Sequence, residues 1–411
     1  MTQTQLAMGN ALASAASTIQ ISELPKVTLD FITGEQTEVA RAGGIFTKED
    51  LITLNLYARK GLSLPTTLDE VEAYLGYSKI NILGLEPTDI KVLFEGIHNH
   101  ALGWNNVEQG VLEQSLDLNV AAKSIVSSGE EIIDIINQMP ILDRVKTILG
   151  DITDEKLNDI TYESADHDIA KALKDILDKM KADITKHQQT TENVRKKVAD
   201  YRIVLIGGEL SSGVKVNGLE PQVKKKYDLM EENNLRKSIK ELDEKIKDKK
   251  ERIEQLKKDY DKFVGLSFTG APGGIIGIAI TASIFGAKAE NARKQKNTLI
   301  SEVSELEAKV SNQRKLQTSL ETTSLSFSDI GIRMLDAESA LNHLDFMWLS
   351  ILKQITESQQ QFSTINNALR LTSFVNGFRH VISPWKSVGE SAHQLVNTFN
   401  EALNEYKKVY G

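Results

Sequence analysis

Residues able to do bond-making chemistry are few and scattered. There are seven histidines and no cysteine, which excludes thiolate ligands, thiol nucleophiles and disulfides. His98 and His100 lie close to Trp104, but no carboxylate stands between them to complete a metal-ligand pattern. His167, His187, His343, His380 and His393 are dispersed. His187 falls on the apolar seam of a helical run, where it reads as a packed or register-setting polar residue. The sequence holds no Walker-type phosphate loop, no HExxH and no GxSxG. Gly273-Gly274-Ile275-Ile276-Gly277 is glycine-rich, but it follows helical sequence and is not a nucleotide fingerprint. No nucleophile, base and orienting group come together in sequence. The expectation is a protein that is not an enzyme and holds no metal or cofactor.

The chemistry on offer is that of a lipid interface. Between Lys262 and Lys288 lie 25 residues without a charge, FVGLSFTGAPGGIIGIAITASIFGA. A soluble coiled coil gains nothing from a segment with no polar face. As a single helix the segment exceeds the roughly 20 residues that span a bilayer core. Pro272, Gly273 and Gly274 near its middle favour a turn instead, giving a helical hairpin. Its arms, Phe263–Gly270 and Ile275–Ala287, would then be about 12 and 20 Å long, too short for a core of roughly 30 Å. Such a tip embeds in one leaflet unless the turn straightens. A buried core hairpin is the bland alternative, since glycines also permit close helix packing. In the lipid reading the apolar wedge is Phe263, Val264, Leu266, Phe268, Ile275, Ile276, Ile278, Ile280, Ile284 and Phe285. Gly265, Gly270, Pro272, Gly273, Gly274, Gly277 and Gly286 are the turn and hinge candidates.

Seven cations flank this segment: Lys257, Lys258 and Lys262 before it, Lys288, Arg293, Lys294 and Lys296 after it. They read as a collar that reaches lipid headgroups, each worth about 1 kcal/mol at an anionic surface. Asp259 and Asp261 within the collar keep open the plainer reading of a solvated charged face.

The elements that would position this tip are long helices. Composition is 40% hydrophobic but only 6% aromatic, which suits helices packed through Leu, Ile and Val. The net charge of −8 favours solubility and argues against a general nucleic-acid binder. Residues 1–20 are small and polar, and without Lys or Arg they do not form a cleavable secretory signal. Pro25, Pro65 and Pro87 punctuate short helices such as Lys48–Lys60 and Leu68–Leu75. Thr47 and Asp50 make a capping box. Long seams follow, at alternating spacings of three and four. The first runs through Trp104, Val107, Val111, Leu118, Ile125, Ile132, Ile135 and Met139, up to Pro140. The second runs from Ile169 to Tyr201 and ends near Gly207-Gly208, with a loop over Ser211–Glu220 and Pro221 opening the next helix.

Between Gln222 and Lys262 more than half the residues are charged. A thin seam there, from Leu235 through Ile253 and Leu256 to Phe263, predicts a coiled coil. The return seam is Leu299, Val303, Leu306, Val310 and Leu320. The last seam, Phe327 to Leu369, predicts a helix of about 60 Å. Pro384 ends it, and a final helix starts near Trp385. The fold class is therefore all-α: an elongated helical bundle tail, a long antiparallel coiled-coil stalk and an apolar hairpin head. Residues 1–220 form the tail and part of the stalk, 221–262 the ascending stalk, 263–287 the head, 288–325 the descending stalk and 326–411 tail helices.

Long helices, a thin stalk and one apolar tip together resemble the cytolysin A-like α-helical pore-forming toxins. The sequence looks closer still to the A component of bipartite α-xenorhabdolysin-type toxins. Asp50–Leu75, DLITLNLYARKGLSLPTTLDEVEAYL, and the stalk with its tip, Leu235–Leu320, carry the resemblance. It implies a monomer in solution that binds a target-cell bilayer and forms a ring-shaped pore with a second protein, the B component. It also implies that the A component supports the B hairpin rather than spanning deeply. Secretion without a cleavable signal is expected. The other class the residues allow is a non-toxic membrane-tethered coiled-coil scaffold or secretion-system spacer.

Overall fold

The computed structural model describes residues 45–147, 152–232, 247–259, 291–303 and 315–410. Helix α1, Lys48–Leu62, starts at the predicted capping box. The Thr47 hydroxyl accepts from the Asp50 N–H at 3.1 Å, and an Asp50 carboxylate oxygen accepts from the Thr47 N–H at 2.9 Å. Helix α2, Leu68–Leu75, repeats the device with Thr67 and Glu70 and ends on left-handed Gly76.

Helix α3 spans Pro87–Asn137, 51 residues and about 75 Å. It begins earlier than the seam from Trp104 suggests, because Ile90, Leu93, Phe94 and Ile97 extend the buried face back to Pro87. At its far end Ile136 is fully buried, while Ile135 is partly buried against the same core. Pro140 opens a separate short helix, α4, Pro140–Lys146, rather than kinking α3. Helix α5 is Asp154–Asp159 and α6 is Ser164–Ile206. Buried Asp166 ties α4 to α6, accepting from the Ile141 N–H and the Arg144 guanidinium, both at 2.8 Å.

The segment read as a loop, Ser211–Glu220, contains β2, Lys215–Val216, which pairs antiparallel with β1, Gly208–Glu209, just before it. Helix α7, Leu219–Glu232, then starts two residues before Pro221. Two helical stretches follow, α8 over 247–259 and α9 over 291–303. Beyond them α10 runs Lys315–Ser363, α11 Ala368–Ile382 and α12 Pro384–Tyr410. The boundary drawn at residue 325 falls inside α10.

In the main bundle α10 lies along α6, while α6 and α12 both lie along α3; α1 packs against α3 and α12. A stack of rings joins three of these helices. Trp348 lies between His187 and Trp385, with centroids 5.6 and 5.4 Å away, and its indole N–H donates to Thr191 at 2.8 Å. His187 also bonds Asp117 at 2.7 Å, as a packed polar seam residue should.

The seam continuing to Leu369 does not make one helix. The chain breaks after Ser363, and Asn367 caps α11 by accepting from the Arg370 N–H at 3.0 Å. The Asn366 carbonyl accepts from the Tyr162 N–H, so the break also anchors the start of α6. Ile365 still packs in the core, which explains why the periodicity carries through the break.

Candidate membrane-binding site and its anchorage

The wedge and hinge residues, Phe263 to Gly286, lie outside the described residues, as do Lys262 and Lys288. Among the described residues no helix is long and apolar enough to cross a membrane. The structure instead shows how the sequences on either side of the wedge are held.

Helices α8 and α9 pair antiparallel. Lys249 bonds Glu302, and Leu256 packs with Ala292 and Leu299. Midway in sequence between Lys249 and Glu302 stand Ile275 and Ile276, beside Pro272-Gly273-Gly274. Ile253, Leu256, Leu299 and Val303 fill the seam positions expected of them. They meet Leu325, Ile332 and Leu335 of α10 in two small clusters separate from the main core.

The five described collar residues divide. Lys258 and Lys294 are exposed. Lys257 reaches Glu220 of α7 at 3.2 Å. Arg293 and Lys296, read from the sequence as collar cations, are buried in this conformation, at 2% and 0% exposure. A buried cation needs carboxylates around it, and these are present. Arg293 faces Asp50 at 3.3 Å and Glu49 at 3.6 Å, both on α1. Lys296 faces Asp329 of α10 at 3.5 Å. Arg333, one helical turn along from Asp329, bonds it at 2.7 Å and reaches back to Asp50 and to Glu49, the latter at 3.2 Å.

The cluster sets its own protonation. Burial pushes the Lys296 pKa down to about 8, against the pull of Asp329. Burial alone would raise the Asp329 pKa, but Arg333 and Lys296 outweigh it and hold the carboxyl below the usual range. Glu49 is lowered too, by Arg333 and Arg293 acting against burial. At neutral pH both carboxyls are therefore ionised.

Sequence reasoning missed Glu49, Asp50, Asp329 and Arg333 as partners of the collar. One signal was available: Asp329 and Arg333 form an i,i+4 charged pair inside the Phe327–Leu335 run, which holds no other charge. His100 is also settled by geometry. Its Nε2–H donates to the Tyr201 carbonyl at 2.9 Å, and its Nδ1 accepts from the Tyr57 hydroxyl at 2.6 Å. Both nitrogens are occupied, so a metal would have to displace a buried bond.

The chain is similar to known proteins over most of its length. It is 76% identical to YaxA from Yersinia enterocolitica, covering 89% of this chain and 100% of that one, with a TM-score of 0.52. A chain of the YaxAB pore complex is 74% identical with the same coverage and a TM-score of 0.51. The crystal structure of XaxA from Xenorhabdus nematophila is 47% identical, again covering 89% and 100%, with a TM-score of 0.50. No protein-family model and no curated protein matches the chain. Identity at this level over the whole of the Yersinia chain places the protein: it belongs to the YaxA/XaxA family of α-helical pore-forming toxin components.

Proposed function

We propose that this chain is the membrane-binding subunit of a two-component pore-forming cytolysin. It engages a target-cell bilayer through residues 263–287 and assembles there with a B component into a hetero-oligomeric ring. The observation that carries the reading is the 74% identity to a chain of the YaxAB pore complex. The uncharged stretch from Phe263 to Ala287 supplies the physical means. Burying a Phe or Ile side chain is worth about 1.5–3 kcal/mol, so a few of the ten wedge residues hold a tip in lipid. The short arms on either side of Pro272 favour embedding in one leaflet, with deeper spanning left to the partner.

Dye release from liposomes and red cells tests this, with the purified protein alone, with its B component, and with Ile276→Asp and Ile280→Asp. Release that requires both proteins is the expected result. An Asp in the bilayer core costs about 2.5–3.5 kcal/mol, so each variant should lose roughly 100-fold in membrane binding. Variants that bind and lyse as the wild type does would remove the lipid contact from this segment.

A further inference from the structure

The buried cluster joins three places far apart in sequence: Glu49 and Asp50 on α1, Arg293 and Lys296 on α9, and Asp329 and Arg333 on α10. It balances three cations against three carboxylates. Buried ion pairs add little net stability, because desolvation offsets their attraction, but removing one partner leaves an uncompensated buried charge. The rest of the contact is thin. The apolar residues that dock α8 and α9 lie in two small clusters outside the main core. A cavity of about 200 Å³, lined by Tyr57, Ile97, Ile300, Thr323, Asp329 and Ile330, leaves the junction loosely filled. Glu49 and Asn297 bond across its exposed edge at 2.9 Å. Docking of this kind can be undone without opening the bundle, whose core sits elsewhere. Its two arm cations also belong to the set that flanks the apolar segment. In the docked arm they are turned inward. In a released arm they would need other anions.

We propose that this cluster is a releasable clamp: Glu49, Asp50 and Asp329 hold the 291–303 arm on α1 and α10 through Arg293 and Lys296, and an anionic lipid surface competes for those two cations, coupling release of the arm to membrane engagement. The coupling rests on the reading of 263–287 as the lipid contact. The clamp makes Arg293 and Lys296 conditional members of the collar, hidden before contact and presented after it.

Two variants test it. Asp329→Asn removes the carboxylate that Lys296 and Arg333 share. Amide hydrogen exchange over 291–303 should then rise at least 10-fold while α3 is unchanged; unchanged exchange in the arm overturns the clamp. Phosphatidylcholine/phosphatidylserine vesicles should raise the same exchange in the wild type. Inorganic phosphate raising it equally would overturn the role of the lipid surface. The second variant, Glu49→Cys/Asn297→Cys, is bridged by a reducible thiol crosslinker in a chain with no other cysteine. The bridged protein should lose at least 10-fold in binding to these vesicles and recover on reduction. Equal binding by bridged and reduced protein overturns the proposal. Ile276→Asp separates the two readings. If it loses binding while the bridged protein keeps it, the clamp alone has failed. If it keeps binding, the lipid contact has failed.

Discussion

At the scale of single residues, two buried polar groups do most of the specifying. Asp50 caps α1 with one carboxylate oxygen and receives Arg293 and Arg333 on the other. A residue that starts a helix thus also fixes where a distant arm lands. His100 does the equivalent inside the bundle. It bonds α1 through Tyr57 and α6 through Tyr201, and stacks on the Tyr201 ring at 3.9 Å. Burial lowers its pKa to about 4, against the Tyr201 carbonyl, which favours the charged form. The unfolded chain therefore takes up a proton near pH 6.5 while the folded chain resists it until about pH 4. Stability is fully present above the unfolded pKa and is lost as pH falls through that window, by about 3 kcal/mol for a shift of this size. Urea denaturation at pH 7.5 and 4.5 checks this. Wild type should lose about 3 kcal/mol more than His100→Gln between the two pH values. Equal losses would assign the acid sensitivity to other groups.

At the scale of elements, packing is closest where glycine allows it. A Cβ built on Gly129 of α3 would sit 2.6 Å from Ile382 of α11, and two further atoms of the same side chain lie within 2.8 Å. Gly129→Ala must displace Ile382, itself buried, and should destabilise the bundle by about 1–3 kcal/mol. Thermal unfolding measures it, and Ile382→Val in the same chain should recover part of the loss. An unchanged melting temperature would mean that α11 shifts freely. Much of this level was legible in advance. Helix starts at Thr47 and Thr67 follow from side-chain capping, and the seams follow from burial at alternating spacings of three and four. What was not legible depended on choices periodicity does not encode. Ile365 keeps its place in the core while the backbone turns beneath it, so the seam hides the break before Asn367. Lys296 and Arg293 read as solvent-facing cations because charge alone favours water. Only the convergence of Asp50, Glu49 and Asp329 from two other helices makes burial tolerable.

At the scale of the whole molecule, charge sets the problem of approach. If the chain is the membrane-binding subunit proposed above, its first task is to reach a bilayer. With a net charge of −8 it is repelled by an anionic surface, though only within a Debye length of about 8 Å at physiological salt. Local cations must therefore orient the molecule at short range. Arg293 and Lys296 are held in the cluster and Lys257 is turned toward Glu220. Among the described flanking residues Lys258 and Lys294 are exposed, so on the proposed membrane-binding reading they are the cations an anionic surface meets first. Reversing both, Lys258→Glu with Lys294→Glu, changes the local charge by four. At about 1 kcal/mol per charge near the surface, reduced by screening, vesicle partitioning should fall roughly 10- to 100-fold. Co-sedimentation with phosphatidylserine-containing vesicles at low salt measures it. The loss should shrink as salt rises and should be absent on pure phosphatidylcholine. An equal loss on neutral vesicles would show that the two lysines act through the fold of the arms rather than through the lipid charge.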